Sequence, residues 1–542
     1  MFDGIHIGLS SLQTQKKSIE TTGHNIANAN NENYSRQRTI QTAKQPNLVP
    51  GSDFMMGSGV KVEDIQRIQD QFINQQVREE SQESGYWNQI QQGMERIEYI
   101  FNEPSDSGLQ SAFESFWNSL QDLNSNPNDT ATRAAVKNQG LVLAKSFRNI
   151  NEQMMDYKRA LNNDVEKTVS EINSITDRIS RYNKQITTAL ASNNTPNDLL
   201  DKREALYNEL NELISVKGSV DKVGNLNITV DGKKLVSKFD TNELKISANG
   251  TYEDNIAIDI NGTEIGVEPD SGEIKGIMDV RDNEIPSYLE TLDQIAYNFA
   301  DEFNEKHRSG FDLDGNTGQN FFTDLGADDE GASRKIEIHS AIEADGGISK
   351  IAAGNFSEDS SVVTGEITGT VDTDEYYTAK ITDDGSGNFD YEIFKSDGTI
   401  AGSGNQAPDT TVDLTGSEGF ELTLNGTGET NVNFNKNEGN GNNASSLAEV
   451  INQDEVLNDA TVQDNYQALI STIGVNAQRA DQMKESQGDL VRQLGNIKES
   501  ISGVSLDEEM ANMIKYQQAY NAAAKLITKS DEMLETLIGM VR

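Results

Sequence analysis

Apolar residues at the two ends of this chain recur at alternating steps of four and three. From Val504 to Arg542 the series runs Leu506, Met510, Met513, then Tyr520, Ala524, Ile527, then Leu534, Ile538, Val541. Near the start, Ile5, Leu9, Leu12 and Ile19 follow the same rule. A seam of period 3.5 is the pattern of helices wound on partner helices. The spacing predicts a helix at each end, the two belonging together and offering apolar surface to something outside the folded body. That points to assembly rather than catalysis. So few buried side chains do not offset the entropy of ordering a lone helix pair. Residues before about 70 and after about 505 are therefore expected to be mobile in the monomer and to fold on assembly.

Between the ends the period changes twice. Residues from about 85 to 215 read as helix, with Ile150, Met154, Tyr157, Leu161, Val165, Val169, Ile172, Ile175, Ile179, Tyr182 and Ile186 in one stripe. So long a stripe predicts a coiled-coil arm. A turn at residues 193–198 returns Leu199 to Val216 as its antiparallel partner. At Lys217 the period drops to two: Leu226, Ile228 and Val230 alternate, then Ile256, Ile258 and Ile260, then Ile265 and Val267, with Asp231-Gly232 and Asn261-Gly262 as turns. Helix returns from about Ile285 to His307. A second β region is read from about 320 to 440, on the alternations Tyr377, Ala379, Ile381; Phe389, Tyr391, Ile393; and Phe420, Leu422, Leu424, with turns at Asp397-Gly398 and Asn425-Gly426. Helix resumes near Ser445 and runs, with one break around Gly503, to the end.

The fold class expected is multidomain α+β: a long helical coiled-coil body formed by the N- and C-terminal parts, with antiparallel β domains inserted in the middle. The divisions are 1–70, an N-terminal helix and mobile segment; 71–216, the helical body with its arm; 217–275, a small antiparallel β region; 276–324, a helical return and turn; 325–440, an inserted β domain; 441–504, the returning body; and 505–542, the C-terminal helix. No repeat of fixed period is present.

At 542 residues the chain has room for three or four domains. Its net charge of −43 describes a well-solvated exterior that repels phosphate backbones and anionic lipid, so neither nucleic acid nor a membrane surface is an expected partner. There is no cysteine, which excludes disulfides and thiolate metal sites. No apolar run approaches the ~20 residues that span a bilayer. Met1-Phe2-Asp3-Gly4 lacks the basic and apolar blocks of a cleavable secretory signal, so export, if it occurs, is expected by a route that needs none.

Candidate chemical sites weaken on inspection. Asp312, Asp314 and Asn316 occupy positions 1, 3 and 5 of a calcium loop, but Thr317 stands where glycine belongs and Thr323 where glutamate does, which leaves a structural turn. Residues 439–444, Gly-Asn-Gly-Asn-Asn-Ala, imitate a dinucleotide fingerprint without the parallel βαβ unit around it, and read as a linker into a helix capped by Ser445 or Ser446. His6, His24, His307 and His339 form no ligand pair. Trp87, Trp117, Tyr99, Phe101, Phe113 and Phe116 read as core before partner surface. No cofactor, no metal and no enzymatic activity are expected.

Several of these stretches resemble one family, flagellar hook-associated protein 1, the hook–filament junction protein of bacteria. Gly23-His24-Asn25-Ile26-Ala27-Asn28-Ala29-Asn30, with Tyr34-Ser35-Arg36-Gln37, looks like the motif shared by axial subunits of rod, hook and junction, although Asn31-Glu32-Asn33 replaces the usual Thr-x-Gly turn. Ser125-Asn126-Pro127-Asn128 with Arg133, Asp198-Leu199-Leu200-Asp201-Lys202-Arg203-Glu204-Ala205-Leu206, and Gly272 through Phe321-Phe322 are more specific. Glu508-Glu509-Met510-Ala511-Asn512-Met513 with Tyr516 and Tyr520 is similar to the common axial C-terminus. The resemblance implies type III export and a ring of subunits, with hook protein below and the second junction protein above. It also implies an export chaperone on the C-terminal region. Asn25, Ile26, Ala27, Asn28, Tyr34 and Arg36 join the two apolar seams as expected subunit-contact residues. A hook or distal-rod subunit is the alternative within this class. A cell-wall hydrolase with its site in the 325–440 insert is the alternative outside it.

Overall fold

The computed structural model describes residues 2–48, 55–192, 194–248, 256–261, 266–317, 319–354, 363–367, 376–414, 417–433, 441–452 and 460–540. In chain order, helix α1 is Phe2–Ala27, and strands β1 to β4 are Gln37–Ala43, Asn47–Leu48, Met55–Met56 and Val60–Arg67. Helices α2 to α5 are Gln71–Phe101, Leu109–Ser125, Thr130–Ala191 and Asn197–Leu213. Strands β5 to β10 are Lys217–Val220, Leu226–Val230, Lys233–Ser237, Asp240–Thr241, Leu244–Ala248 and Ile256–Ile260. Helices α6 to α9 are Glu273–Asp279, Ile285–Ser309, Ala332–Lys335 and Ser340–Glu343. Strands β11 to β17 are Val363–Ile367, Tyr376–Asp383, Phe389–Lys395, Ile400–Gln406, Thr411–Asp413, Phe420–Leu424 and Gly428–Asn433. Helices α10 to α12 are Asn442–Glu449, Val462–Ser502 and Leu506–Met540. Long terminal helices with antiparallel sheets between them are the α+β architecture that the periods imply.

Two compact units divide this chain. The first gathers Met1–Gln92, Leu161–Asp279 and Ala480–Arg542. Within it the second half of α4 buries Val165, Val169, Ile172, Ile175, Ile179 and Ile186. Its partner is not a helix alone. Asn183, buried in the same stripe, donates to the carbonyls of Leu226 and Lys238 and accepts from the Leu226 amide, which fastens the helix to the sheet β5-β6-β7-β8. The inner face of that sheet is Leu226, Ile228 and Val230, in the predicted alternation. Asp231 and Gly232 both hold positive φ, +47° and +69°, the geometry of the tight hairpin that joins β6 to β7. Strand β10 pairs with β9, Ile258 opposite Ile246; Ile265 lies outside the described residues.

The second unit gathers Gly93–Ala160 and Val280–Arg479. Its core is aromatic. Phe113, Phe116, Phe147, Phe299, Phe303, Phe321 and Phe322 are all sealed from solvent, with ring centroids 4.9–6.4 Å apart in edge-on and tilted pairs. Beside it, Arg133 is buried and donates to the carbonyls of Pro127, Ile348 and Ile351. Strands β11 to β17 carry a separate core, in which Tyr377, Ala379 and Ile381 of β12, beside Ile393 and Tyr391 of β13 in the same sheet, pack with Val363, Phe420 and Leu422 of the second sheet.

Four element-level expectations are corrected. The helix read from 85 to 215 breaks at residues 102–108, where Asn102 takes positive φ, and at 126–129, where Pro127 ends α3. The second β region read from about 320 has its first strand at Val363; the stretch before it holds the short helices α8 and α9. Helix α10 starts at Asn442 with Gly441 as its cap, leaving Ser445 and Ser446 inside it. A side chain at Gly441 would lie 2.2 Å from the Asn124 carbonyl, which is why glycine holds the cap. Gly439 and Asn440 lie outside the described residues. Asn425-Gly426 joins β16 to β17, strands of two different sheets, and so makes no hairpin. Antiparallel β1 and β4 were not read from the sequence at all, although the alternation Val60, Val62 was there to find.

Candidate functional site

Helices α1 and α12 pack as an antiparallel pair: Gly4 faces Ser530, Gly8 faces Ile527, and Asn25 bonds Glu509. The approach is close. A Cβ on Gly8 would come within 2.5 Å of the Ile527 side chain. The face of α1 that disappears is small and polar, formed by Gly8, Ser10, Thr14, Ser18, Thr21, Thr22 and Asn25. Helix α1 lies between α12 and the β1–β4 ribbon, and its hydroxyls serve the ribbon. Ser10 accepts the Val60 amide at 3.3 Å, Thr14 donates to the Val60 carbonyl, and Ser18 bonds Thr39.

The expected seam residues fall on two faces. Ile5, Leu12 and Ile19 are half-buried and Leu9 is exposed. On α12, Met513, Ala524, Ile527 and Leu534 are half-buried, whereas Leu506, Met510, Tyr520 and Ile538 are exposed, Ile538 at 65%. Val541 lies outside the described residues. The open face carries further apolar side chains that the seam omitted: Ile514, Leu526, Met533, Leu537 and Met540. Helix α12 buries only Glu509, Ala523 and Ser530.

Where the pair meets its own unit, polar groups interlock. The side chain of Asn25 uses its full bonding capacity: its amide donates to the Gln37 carbonyl and to Glu509, and its oxygen accepts the Gln37 amide and the Tyr34 hydroxyl at 2.7 Å. Arg36 forks onto α12. It reaches Glu509 through Nε and Nη2, each at 2.8 Å, and Glu508 through Nη1 at 2.9 Å. Glu509 is 3% exposed, so this is a shielded, charge-assisted contact. Burial works against the Arg36 charge, but the bonds to Glu509 and Glu508 outweigh it and push its pKa up. The Tyr34 hydroxyl is held well above its ordinary range by burial and by the nearby carboxylates Asp198, Asp201 and Glu509. Of the other expected contact residues, Ile26 and Asn28 are half-buried and Ala27 is exposed.

Helix α5 supplies the second half of this clasp. Asp201 accepts the Ser35 amide and pairs with Arg67 at 2.8 Å; Glu204 takes Arg67, Gln69 and Asn74; Asp198 accepts from Gln37. Burial raises the Asp201 carboxyl, and Arg67 and Ser35 hold that rise in check. The three stretches quoted for the resemblance, around Asn25–Gln37, Asp198–Glu204 and Glu508–Glu509, thus meet in one network. Sequence reasoning did not bring them together. Asp198, Glu508 and Glu509 lie in first helical turns, where the helix dipole already suits an acidic residue, so the sequence alone carries no sign of their tertiary role.

The stretch read as a false calcium loop is a turn. Asp312 is buried, and its Oδ1 accepts the amides of Asp314 and Asn316. Among the described residues no three histidines or carboxylates are placed to hold a metal, and no helix is long and apolar enough to cross a membrane.

Comparison with known proteins places this arrangement. A family model for the flagellar hook-associated protein FlgK helical domain matches residues 94–322, and one for the flagellar basal body rod FlgEFG protein C-terminal region matches 499–540. Flagellar hook-associated protein 1 of Bacillus subtilis is 27% identical across 99% of this chain and 98% of its own length. The proteins of that name from Salmonella typhimurium and Escherichia coli are 27% and 28% identical, with 99% of each chain covered. The solved structure of the flagellar hook junction protein FlgK from Burkholderia pseudomallei shares the fold, with a TM-score of 0.61 at 18% identity over 80% of this chain and all of that one. Along nearly its whole length the chain is similar to flagellar hook-associated protein 1, and its matches are those of a structural subunit of the bacterial flagellum.

Proposed function

We propose that the chain is the structural subunit that joins hook to filament, and that it assembles as a ring through the α1–α12 pair. One observation carries this reading: α12 presents Leu506, Met510, Ile514, Leu526, Met533, Leu537, Ile538 and Met540 to solvent along most of its length. Monomeric proteins rarely leave so many large apolar side chains of one helix uncovered. Sister copies around a common axis cover it, and most of the stabilisation of the pair arrives with them. The clasp at Asn25, Arg36 and Glu509 then sets where the pair leaves its unit, while the outer reaches of α1 and α12 gain order on assembly.

By the same reading the subunit crosses the flagellar type III exporter unfolded, its C-terminal region held beforehand by an export chaperone. Hook protein lies below the ring and the second junction protein above it, outside the cell. A chain without cysteine suits repeated unfolding.

The test is Ile538→Lys, at a side chain 65% exposed in the monomer. Folding of the body changes by less than about 0.5 kcal/mol, as for other exposed positions. Incorporation is lost, and electron microscopy shows hooks without filaments, with flagellin shed into the medium. Normal filaments on Ile538→Lys cells would refute the proposal.

A further inference from the structure

In a chain with no cysteine, the thioethers are the sulfur that an oxidant can reach, and their distribution is uneven. Met94 and Met154 are buried at 1% and 0% exposure. Met155, Met278, Met483 and Met513 are half-buried. Among the described residues, the exposed methionines are Met55, Met56, Met510, Met533 and Met540, all in the terminal segments. Three of them are exposed on α12, Met510 near its start and Met533 and Met540 on its open face, where they repeat with Leu526 every seven residues. That face has its exposed sulfur at the positions that the proposed ring covers.

We propose that Met510, Met533 and Met540 form a peroxide-sensitive modification site, and that their oxidation blocks addition of the subunit. The inference rests on the reading of this face as the assembly surface. The chemistry is a two-electron oxygen transfer. A lone pair of the thioether sulfur attacks hydrogen peroxide, an S–O bond forms and the O–O bond breaks. The departing hydroxide takes the proton from the transferred oxygen and leaves as water. The product sulfoxide is polar, and it places a strong acceptor on a surface that must become dry. Oxidation at Met94 or Met154 first requires unfolding. On the α12 face it requires only that the neighbouring copy be absent, so a free subunit is vulnerable and an incorporated one is shielded.

The experiment treats the purified full-length chain with hydrogen peroxide and maps the added oxygen by peptide mass spectrometry. Met510, Met533 and Met540 are oxidised at least about tenfold faster than Met94 and Met154. The treated protein is then added to isolated hooks and scored by electron microscopy. Its addition falls by about tenfold or more, whereas the triple variant Met510→Leu, Met533→Leu, Met540→Leu, treated identically, adds as before. Equal oxidation rates at exposed and buried methionines overturn the proposal, as does an equal loss of addition in the leucine variant. A second variant, Met510→Gln, Met533→Gln, Met540→Gln, separates the two ideas. It carries the polarity without the oxidant, and its normal addition to hooks would overturn the assembly reading itself.

Discussion

The aromatic core of the second unit and the α1–α12 pair are built on opposite plans. In the core, seven phenylalanines from α3, α4, α7 and the segment after it vanish from solvent. In the pair, the buried positions are glycine, alanine, serine, threonine, asparagine and one glutamate, and the large apolar side chains are half-buried or exposed. The core is complete within one chain. The pair brings backbones close through small residues and orients itself by a polar network, and its apolar surface is left over. A folded unit hides its hydrophobic side chains, and a subunit of a larger assembly keeps some in reserve.

Substitutions sharpen this contrast. Phe303→Ala removes a ring with no exposure and four phenylalanine neighbours. It lowers the stability of residues 93–160 and 280–479 by about 3–5 kcal/mol in denaturant unfolding. A loss under about 1 kcal/mol would break the claim that this core is tightly packed.

The same core contains a neutral histidine. His307 is fully buried; the Ala352 amide donates to Nε2 at 2.9 Å, so Nδ1 carries the proton and donates to the Gln319 carbonyl. Burial pulls its pKa down to about 4. The unfolded chain, with an ordinary imidazole near 6.5, takes up a proton first as pH falls. The contribution of His307 to stability is therefore whole above pH 6.5 and is lost between 6.5 and 4, roughly 3 kcal/mol in all. In His307→Gln, stability falls less steeply across that window, as measured by urea midpoints at several pH values. Equal slopes in the two proteins would contradict a neutral His307.

The pair responds more weakly and more locally. Arg36→Ala strands the buried Glu509 and costs about 2 kcal/mol, a figure kept low because Arg36 is 20% exposed. The effect registers as faster amide exchange in α1 and the first turns of α12. With Glu509→Gln added, the double variant loses less than the two single losses together, and strict additivity would mean that Arg36 and Glu509 do not act on each other. Gly8→Ala is smallest, about 1 kcal/mol, because its methyl group meets Ile527 at 2.5 Å. Ile527→Ala restores the lost stability in part. An unchanged Gly8→Ala protein would show that the helices do not touch there.

Much of the fold was legible beforehand. The stripe from Ile150 to Ile186 buries Ile150, Met154, Leu161, Val165, Val169, Ile172, Ile175, Ile179 and Ile186, and the alternating residues of β6, β12, β13 and β16 face inward. A period is a local property of the chain, and one apolar face per element is enough to read it. The strands β1 and β4 escaped because their pairing is bulged between Ile40 and Gln41 and covered by a polar helix face that carries no hydrophobic signature.

The amino-acid order alone therefore determined the helices, most of the strands and the family resemblance, through spacing and short motifs. It did not determine which side of α12 turns inward. That helix is apolar on more than one side, and a heptad count cannot choose between them. The choice came from tertiary contacts: glycines at positions 4 and 8 let α1 approach, and Asn25 with Arg36 draws Glu509 out of water. A buried carboxylate is stable only against a partner already in place, and such partners, hundreds of residues apart in the chain, meet only in the folded molecule.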